Sequence, residues 1–550
     1  MAGTMASPNS DQQALGKSPS GSGPNAPSSR PAKTQSSETC WSADLTLLQP
    51  LPEYSSLLPI SFSRQHLVVG VTDLSGQRVL VSGNSTQWNG VDTVRRLLGS
   101  NWQIAFAAPE AVSVLIDRVY QSRTGVARQA IDRIDALEID LDVSGAEQTA
   151  DLLEQGERAP VVQVVNAILF EAVMSRASDV HIQPYAEHLQ IRYRIDGMLF
   201  DQLRVPKAFQ EEILSRIKVV GKLNIAEKRL PQDGRATVKV GQRVIDLRIA
   251  SIPTSHGERI VLRLLDKSAR LYTLNELGMS ARILEQFQKL IHLEHGIILV
   301  TGPTGAGKST TLYAALGELD ARKHNIVTLE DPIEYQLDGI SQTQISEKKG
   351  MTFASGLRSV LRQDPDVIMV GEIRDEDTAK MAIQSALTGH LVFSTLHTND
   401  AASAVTRLLE LGIEPYLVAS SVVGVLAQRL VRQTCRNCRA PLTAQRLAEA
   451  TRQLDNLREV SHAFQGSGCS ECRQTGYFGR VGLFELMLID DEIRRLVQSR
   501  ANASEIRAAA LNHGLQLIRR DGIEKINAGM TTIDEVLRVS QANNSPLASI

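Results

Sequence analysis

Apolar runs at 297–300, 326–329, 367–370 and 391–395 are nearly uninterrupted by polar residues. That pattern predicts short strands buried on both faces of a parallel sheet. The stretch 188–195 behaves differently. Leu189, Ile191, Tyr193 and Ile195 alternate with Gln190, Arg192 and Arg194, which predicts a strand buried on one face. Runs at 236–240 and 243–249 flank Gly241-Gln242, a two-residue loop that fits a type II′ hairpin. Leu67-Val68-Val69-Gly70-Val71 reads as a further strand, in a globular stretch that also holds Trp88 and Trp102. Pro160 suits the first turn of a helix over 161–176. From Asp490 onward the pattern is helical, with a helix expected after Ser504 and a capping-box signature at Thr532 and Glu535.

Composition sets the surroundings of these elements. A length of 550 residues, 42% of them hydrophobic, implies several globular domains. The net charge of −2 argues against a global field for nucleic acid or membrane, and no nucleic-acid partner is expected. No apolar stretch approaches the roughly 20 residues that cross a bilayer; the longest, 416–427, is broken by Ser420 and Ser421. Residues 1–45 are rich in Ser, Pro, Gly and Gln, lack a signal-peptide core, and predict a disordered tail. Between Asp132 and Glu157 nine acidic residues face one basic residue, Arg133, as a solvated linker would. The expected division is tail 1–45, docking domain 46–131, linker 132–159, mixed α/β domain 160–265, nucleotide domain 266–431, cysteine element 432–480 and helical end 481–550.

The chemistry lies where the four apolar runs end, because open parallel sheets bind ligands at the carboxyl ends of their strands. The first run leads into Gly302-Pro303-Thr304-Gly305-Ala306-Gly307-Lys308-Ser309, followed by Thr310, a full P-loop pattern. Its glycines let backbone amides turn toward phosphates, Lys308 reaches the β- and γ-phosphates, and Ser309 ligates Mg²⁺. The second run ends in Glu330, Asp331 and Glu334, and the third in Gly371-Glu372. An attacking water needs a positioned acceptor. Glu334 is assigned as that base and Glu372 as the metal-side partner, with the exchange of roles left open. His390 precedes the fourth run and His397 lies beyond its carboxyl end, which makes His397 the stronger candidate sensor of the γ-phosphate or of a neighbouring subunit. Arg235, Arg248, Arg358 and Arg362 are the candidate arginines; an arginine finger is worth about 10³–10⁵ in turnover. These groups together describe an ATPase.

Five cysteines complete the inventory. Cys435-x-x-Cys438 and Cys469-x-x-Cys472 supply four thiolates, a set that suits tetrahedral Zn²⁺ rather than a secreted disulfide scaffold. The gap between the pairs implies an inserted helical excursion over 444–457. Cys40 falls in the tail and is expected to be free. This cysteine usage reads as cytoplasmic.

From about Ala159 to the C-terminus the residues resemble the secretion ATPases of type II secretion systems and type IV pili. The motifs carrying the resemblance are Ala177-Ser-Asp-Val-His-Ile182, Leu230-Pro-Gln-Asp-Gly-Arg235, Gly257-Glu-Arg259 and the P-loop. They continue with an acidic box at 328–335, Leu361-Arg-Gln-Asp-Pro-Asp366, Gly371-Glu-Ile-Arg-Asp375 and a histidine box at 388–399. The resemblance implies an α/β fold: a RecA-like P-loop ATPase core, an N-terminal PAS-like α/β domain, a zinc-binding tetracysteine insertion and a helical C-terminus. It implies a homohexamer with ATP between the PAS-like and RecA-like domains, reached by Arg235, Arg248, Arg358 and Arg362. The implied partners are a bitopic inner-membrane protein at the N-terminal domain and a polytopic inner-membrane platform protein. The implied place is the cytoplasmic face of the inner membrane, and the implied work is pseudopilus assembly for type II secretion. Pilus extension or DNA uptake is the alternative within the same class of motor, and a nucleic-acid-binding zinc protein that uses its P-loop as a switch is the alternative from another class.

Overall fold

The computed structural model describes residues 45, 48–58, 60–83, 88–99, 101–121, 150–151, 160–240, 243–266, 271–452 and 459–540. The expected tail up to residue 44, most of the acidic linker, Cys40 and the Gly241-Gln242 loop lie outside them.

The N-terminal sheet orders its strands β1 (Gln49–Pro50), β2 (Val68–Thr72), β3 (Arg78–Ser82) and β4 (Gln103–Phe106) as numbered. Val68, Val69 and Val71 are buried there, as the apolar run predicts. Gly70 lets the Tyr54 ring lie against the strand, where any Cβ would fall 2.5 Å from it.

The second sheet runs β5 (Ala150–Asp151), β9 (Gln232–Val240), β10 (Arg243–Thr254), β11 (Gly257–Asp266), β6 (Ala177–Pro184), β7 (His188–Ile195), β8 (Met198–Pro206), in that spatial order. The alternation in β7 holds in part: Gln190, expected on the polar face, is buried with its Nε2 donating to the Leu203 carbonyl at 3.1 Å, and Ile195 is only half-buried. Leu189, Ile191 and Tyr193 are buried, and the Tyr193 hydroxyl donates to the Ile168 carbonyl of the helix Pro160–Met174 at 2.7 Å. The antiparallel register places Arg235, Arg248 and Arg263 side by side across β9, β10 and β11, and Asp179 of β6 follows Arg263. Asp179 takes the Arg263 guanidinium at 3.0 Å.

The third sheet is the nucleotide sheet, built from β12 (Gly296–Thr301), β13 (Ile326–Glu330), β14 (Ser341–Gln344), β15 (Val367–Val370), β16 (Leu391–Leu396), β17 (Val422–Thr434) and β20 (Tyr477–Leu488). Its order is β14-β13-β15-β16-β12-β17-β20, parallel up to β17 and antiparallel between β17 and β20. The four predicted strands are all present, and their parallel pairing brings their carboxyl ends to one edge. β20 had no counterpart in the sequence reading, which drew a boundary at 480/481 inside it. Between β17 and β20, the short pair β18 (Arg439–Pro441) and β19 (Phe464–Gly466) is flanked by the two cysteine pairs, with the helix Ala444–Arg452 inserted as expected.

Four helices finish the described residues. One begins earlier than expected: Asn502, not Ser504, caps the helix Ala503–Asn512, in a box with Glu505. The cause is side-chain reach, since the Asn502 amide oxygen accepts from both Ser504 N–H and Glu505 N–H. No described helix is long and apolar enough to cross a membrane.

Candidate active site at the edge of the nucleotide sheet

β12 ends at Thr301, and the loop that follows turns into the helix Lys308–Gly317. Gly302 and Gly307 take φ values of 151° and 87°. A Cβ at Gly302 would sit 2.5 Å from the Gln428 backbone carbonyl oxygen, and one at Gly307 2.9 Å from the Gln428 side-chain Nε2, on backbone whose left-handed φ already strains any other residue. The loop is thus pressed against β17 and leaves its other side, at Pro303, Thr304 and Gly305, exposed. Lys308 folds back, donating from Nζ to the carbonyls of Gly302 at 2.8 Å and Pro303 at 3.2 Å. Burial pushes its ammonium down to about 8; Glu372 opposes that shift and the charge of Arg429 adds to it. A buried cation at the N-terminus of a helix suits a phosphate chain. Ser309 is exposed at the same mouth and Thr310 is half-buried, whereas Thr311 turns inward to Gln428 Oε1 at 2.7 Å.

Glu372 stands beside this loop. Its oxygens meet Arg374 Nη2 at 2.6 Å and His397 Nε2 at 3.5 Å. Burial and the charge of Lys308 hold the His397 imidazole below its usual range, against the pull of Glu372. Lys308, Glu372 and His397 therefore form one electrostatically linked group, assembled from the ends of β12, β15 and β16. His390 is elsewhere: it sits before β16, with Nδ1 2.8 Å from the Ser385 carbonyl oxygen and 3.1 Å from Thr388 Oγ1.

The second acidic cluster divides. Glu330 is buried and saturated, accepting from Thr328 Oγ1 at 2.6 Å, from Gln342 Nε2 at 3.0 Å and from the Tyr313 hydroxyl. Glu334 instead faces the PAS-like domain and takes Arg248 Nη2 at 3.1 Å. Its backbone N–H donates to the Tyr313 hydroxyl at 3.2 Å, which fixes the turn that presents it.

The arginines separate in the same way. Arg235 is exposed and directly opposite Arg248 in the β9–β10 ladder, so both lie on one face of the sheet. Arg358 and Arg362 were expected to share a helix face, but the helix Phe353–Val360 ends before Arg362. Both are exposed, and Arg362 donates from Nη1 to the Arg358 carbonyl at 3.0 Å, back onto its own chain.

The four cysteine sulfurs lie within 4.8 Å of one another. Cys435–Cys469 and Cys438–Cys472 are each 3.7 Å apart and Cys469–Cys472 is 3.6 Å. A Zn²⁺ tetrahedron with Zn–S near 2.3 Å requires sulfurs roughly 3.8 Å apart, so the donor set fits that ion. A disulfide, at about 2.05 Å, does not describe these contacts. Burial resists ionisation of Cys472, but N–H bonds from Cys469 (3.1 Å) and Gly476 (3.3 Å) help bring its thiol down to about 6.

Some site residues escaped the sequence reading. Arg374, paired to Glu372, sits two positions beyond it in a quoted motif and could have been singled out on that spacing. Gln428 and Arg429 had no local signal. Arg429 is buried, donates to both the carbonyl and Oδ1 of Asn399 (2.8 and 3.1 Å), and lies against Gly302. Only the adjacency of β17 to β12 puts it there.

Comparison with known proteins agrees with this geometry. Residues 154–538 match the family model described as "Type II/IV secretion system protein". The chain is 45% identical to the type II secretion system protein HxcR of Pseudomonas aeruginosa over 88% of this chain and 99% of that protein. It is 44% identical to the type II secretion system ATPase E of Vibrio cholerae, over 88% and 96%. Among solved structures it is similar in fold to the ATPase DotB of Legionella pneumophila, with a TM-score of 0.51 and 21% identity over 72% of this chain and 99% of that one. The P-loop, the acidic groups at its edge and these matches together make the chain a member of the type II/IV secretion system ATPase family.

Proposed function

We propose that the chain is the cytoplasmic motor of a bacterial type II secretion system, working as a homohexamer against the inner membrane. The observation that carries this reading is the Arg248–Glu334 pair, 3.1 Å across the cleft between the PAS-like and nucleotide domains. That pair joins a candidate base to a candidate arginine, and the Glu334 N–H donates to Tyr313 of the helix that follows the P-loop. A phosphate chain carries more negative charge than one carboxylate and competes for the guanidinium. ATP would then draw Arg248 off Glu334, close the cleft and leave the Glu334 carboxylate to orient the attacking water. Arg235, its neighbour across the ladder, adds a second positive charge on the same face.

Lys308 leaves the Gly302 carbonyl for the β- and γ-phosphates in this scheme, and the P-loop amides hold them. Ser309 and Glu372 would hold Mg²⁺, which supplies charge neutralisation at the phosphates. His397, hydrogen-bonded through Glu372, registers the γ-phosphate on the far side. Arg358 and Arg362, both exposed, serve a neighbouring subunit's site. Cys435, Cys438, Cys469 and Cys472 hold Zn²⁺. The N-terminal domain docks on a bitopic inner-membrane protein, and cleft closure moves a polytopic platform protein that adds pilin-like subunits to a pseudopilus. The similarity to relatives named for type II secretion supports that system over pilus extension.

ATP turnover of the full chain with Mg²⁺, measured across protein concentrations, tests this reading beside Glu334→Gln and Glu372→Gln. Specific activity should rise with concentration, and Glu334→Gln should bind nucleotide while hydrolysing it at least about 10²-fold more slowly. Full turnover in Glu334→Gln would hand the base role to Glu372.

A further inference from the structure

Among the described residues the PAS-like and nucleotide domains do not share an apolar core: the buried clusters stop at Leu262 on one side and resume at Leu274 on the other. Their relative placement therefore depends on directional polar contacts. One such contact is Arg248–Glu334. Another lies where the PAS-like domain meets the second cysteine knuckle and the start of β20.

At that seam Arg176 closes the helix Pro160–Met174, with its N–H on the Val173 carbonyl at 2.9 Å and φ at 55°. Glycine is the least strained residue in such a left-handed helix end. An arginine stands there instead, and its guanidinium carbon lies 3.7 Å from the centre of the Phe478 ring, close enough for a cation–π contact. Asp196, in the β7–β8 turn, accepts from the Gly479 N–H at 3.0 Å and lies 3.9 Å from both Arg176 and Arg480. From the other side Arg473, next to Cys472, donates to the Met174 carbonyl at 3.1 Å. It thereby satisfies one of the unpaired carbonyls at the helix end.

Backbone conformation singles out the same place. Among the described residues eight that are not glycine have a left-handed φ, and Arg176, Asp196, Arg473 and Gln474 are four of them. Residues held in that region collect where the surrounding structure has a use for them. A cavity of about 290 Å³ runs along the seam between Ile195, Asp196 and Phe200 on one side and Arg432, Tyr477 and Phe478 on the other. The seam is held by aimed contacts, not by packing.

We infer that Arg176, Asp196 and Phe478 are positioning residues for ATP hydrolysis: they seat the PAS-like domain on the cysteine element so that Arg248 meets the nucleotide edge. The seam is the pivot of the cleft, and the cysteine knuckle is its bearing. This rests on the reading that Arg248 acts on bound nucleotide.

Arg176→Gly relaxes the backbone while deleting the guanidinium, so it separates positioning from folding. The full chain should keep its zinc content and keep or raise its unfolding midpoint, while kcat falls about tenfold and KM changes little. Arg176→Lys should restore most of the rate, and Asp196→Asn should repeat the loss. Combined with Arg248→Ala, Arg176→Gly should cost nothing further, because it acts through that arginine. Full turnover in Arg176→Gly and Asp196→Asn beside an impaired Arg248→Ala would overturn the pivot, and so would independent, multiplying losses in the double variant. Full turnover in Arg248→Ala alone would instead sink the arginine reading beneath it.

Discussion

The P-loop edge and the cysteine seam are two charged regions of this molecule, and they are built on opposite plans. At the edge, charges come from the ends of strands in one sheet, so Lys308, Glu372 and His397 are placed by a continuous hydrogen-bond ladder between two apolar clusters that the same strands share. At the seam, Arg176, Asp196 and Arg473 are placed by two domains that share no core among the described residues. The first plan gives a site that survives loss of its neighbours. The second gives one whose geometry is a property of domain placement, suited to motion and vulnerable to it.

Removing metal with a chelator, or making Cys472→Ser, should break the comparison most sharply. On the order of 10 kcal/mol rides on the metal in small zinc domains, so limited proteolysis should cut within 432–480. Nucleotide affinity should stay within about threefold, since the P-loop cradle needs only β12, β16 and β17. A collapse of nucleotide binding would show that the edge leans on the knuckles after all. Lys308→Ala should do the converse, reducing phosphate release by at least about 10²-fold with an unchanged melting temperature.

Glu535 sharpens the picture because it grips β17 between the two regions. It accepts from Arg432 N–H at 2.9 Å, Arg432 Nη2 at 2.8 Å and Arg538 Nη2 at 2.8 Å. Glu535→Gln should cost about 3 kcal/mol in denaturant unfolding at neutral pH. Burial opposes its charge, yet the bonds from Arg538 and Arg432 hold the carboxyl down at about 2. A folded value below the unfolded one means stability present in full above the ordinary carboxylate range, 4.5, and lost as pH falls toward 2. The difference between wild type and Glu535→Gln should therefore shrink over that window.

The smallest effect belongs to Lys308 itself. With its ammonium held at about 8, the nucleotide-free site loses charge as pH rises through that value. ATP affinity should weaken by no more than about tenfold between pH 7 and 9, and an affinity flat over that range would place the lysine back in solvent.

The apolar runs of β12, β13, β15 and β16, the P-loop glycines and the paired cysteines could all be read along the chain. Each is a local device: a strand period, a turn conformation, a ligand spacing. Thr532 with Glu535 was legible for the same reason, although Glu535 directs its carboxylate to Arg432 and Arg538 rather than to a helix end. Tertiary structure alone decided that β20 pairs with β17 and that Arg429 lies against Gly302. It also decided that Glu330 is consumed by Tyr313 while Glu334 meets Arg248, and that Arg176 finds Phe478. Those partners lie from 17 residues apart, for Tyr313 and Glu330, to hundreds, and no periodicity encodes which strand will lie beside which. Local conformational preference and burial are written in neighbouring residues, whereas the choice of distant partner is made only when the sheets close and the domains come to rest against each other.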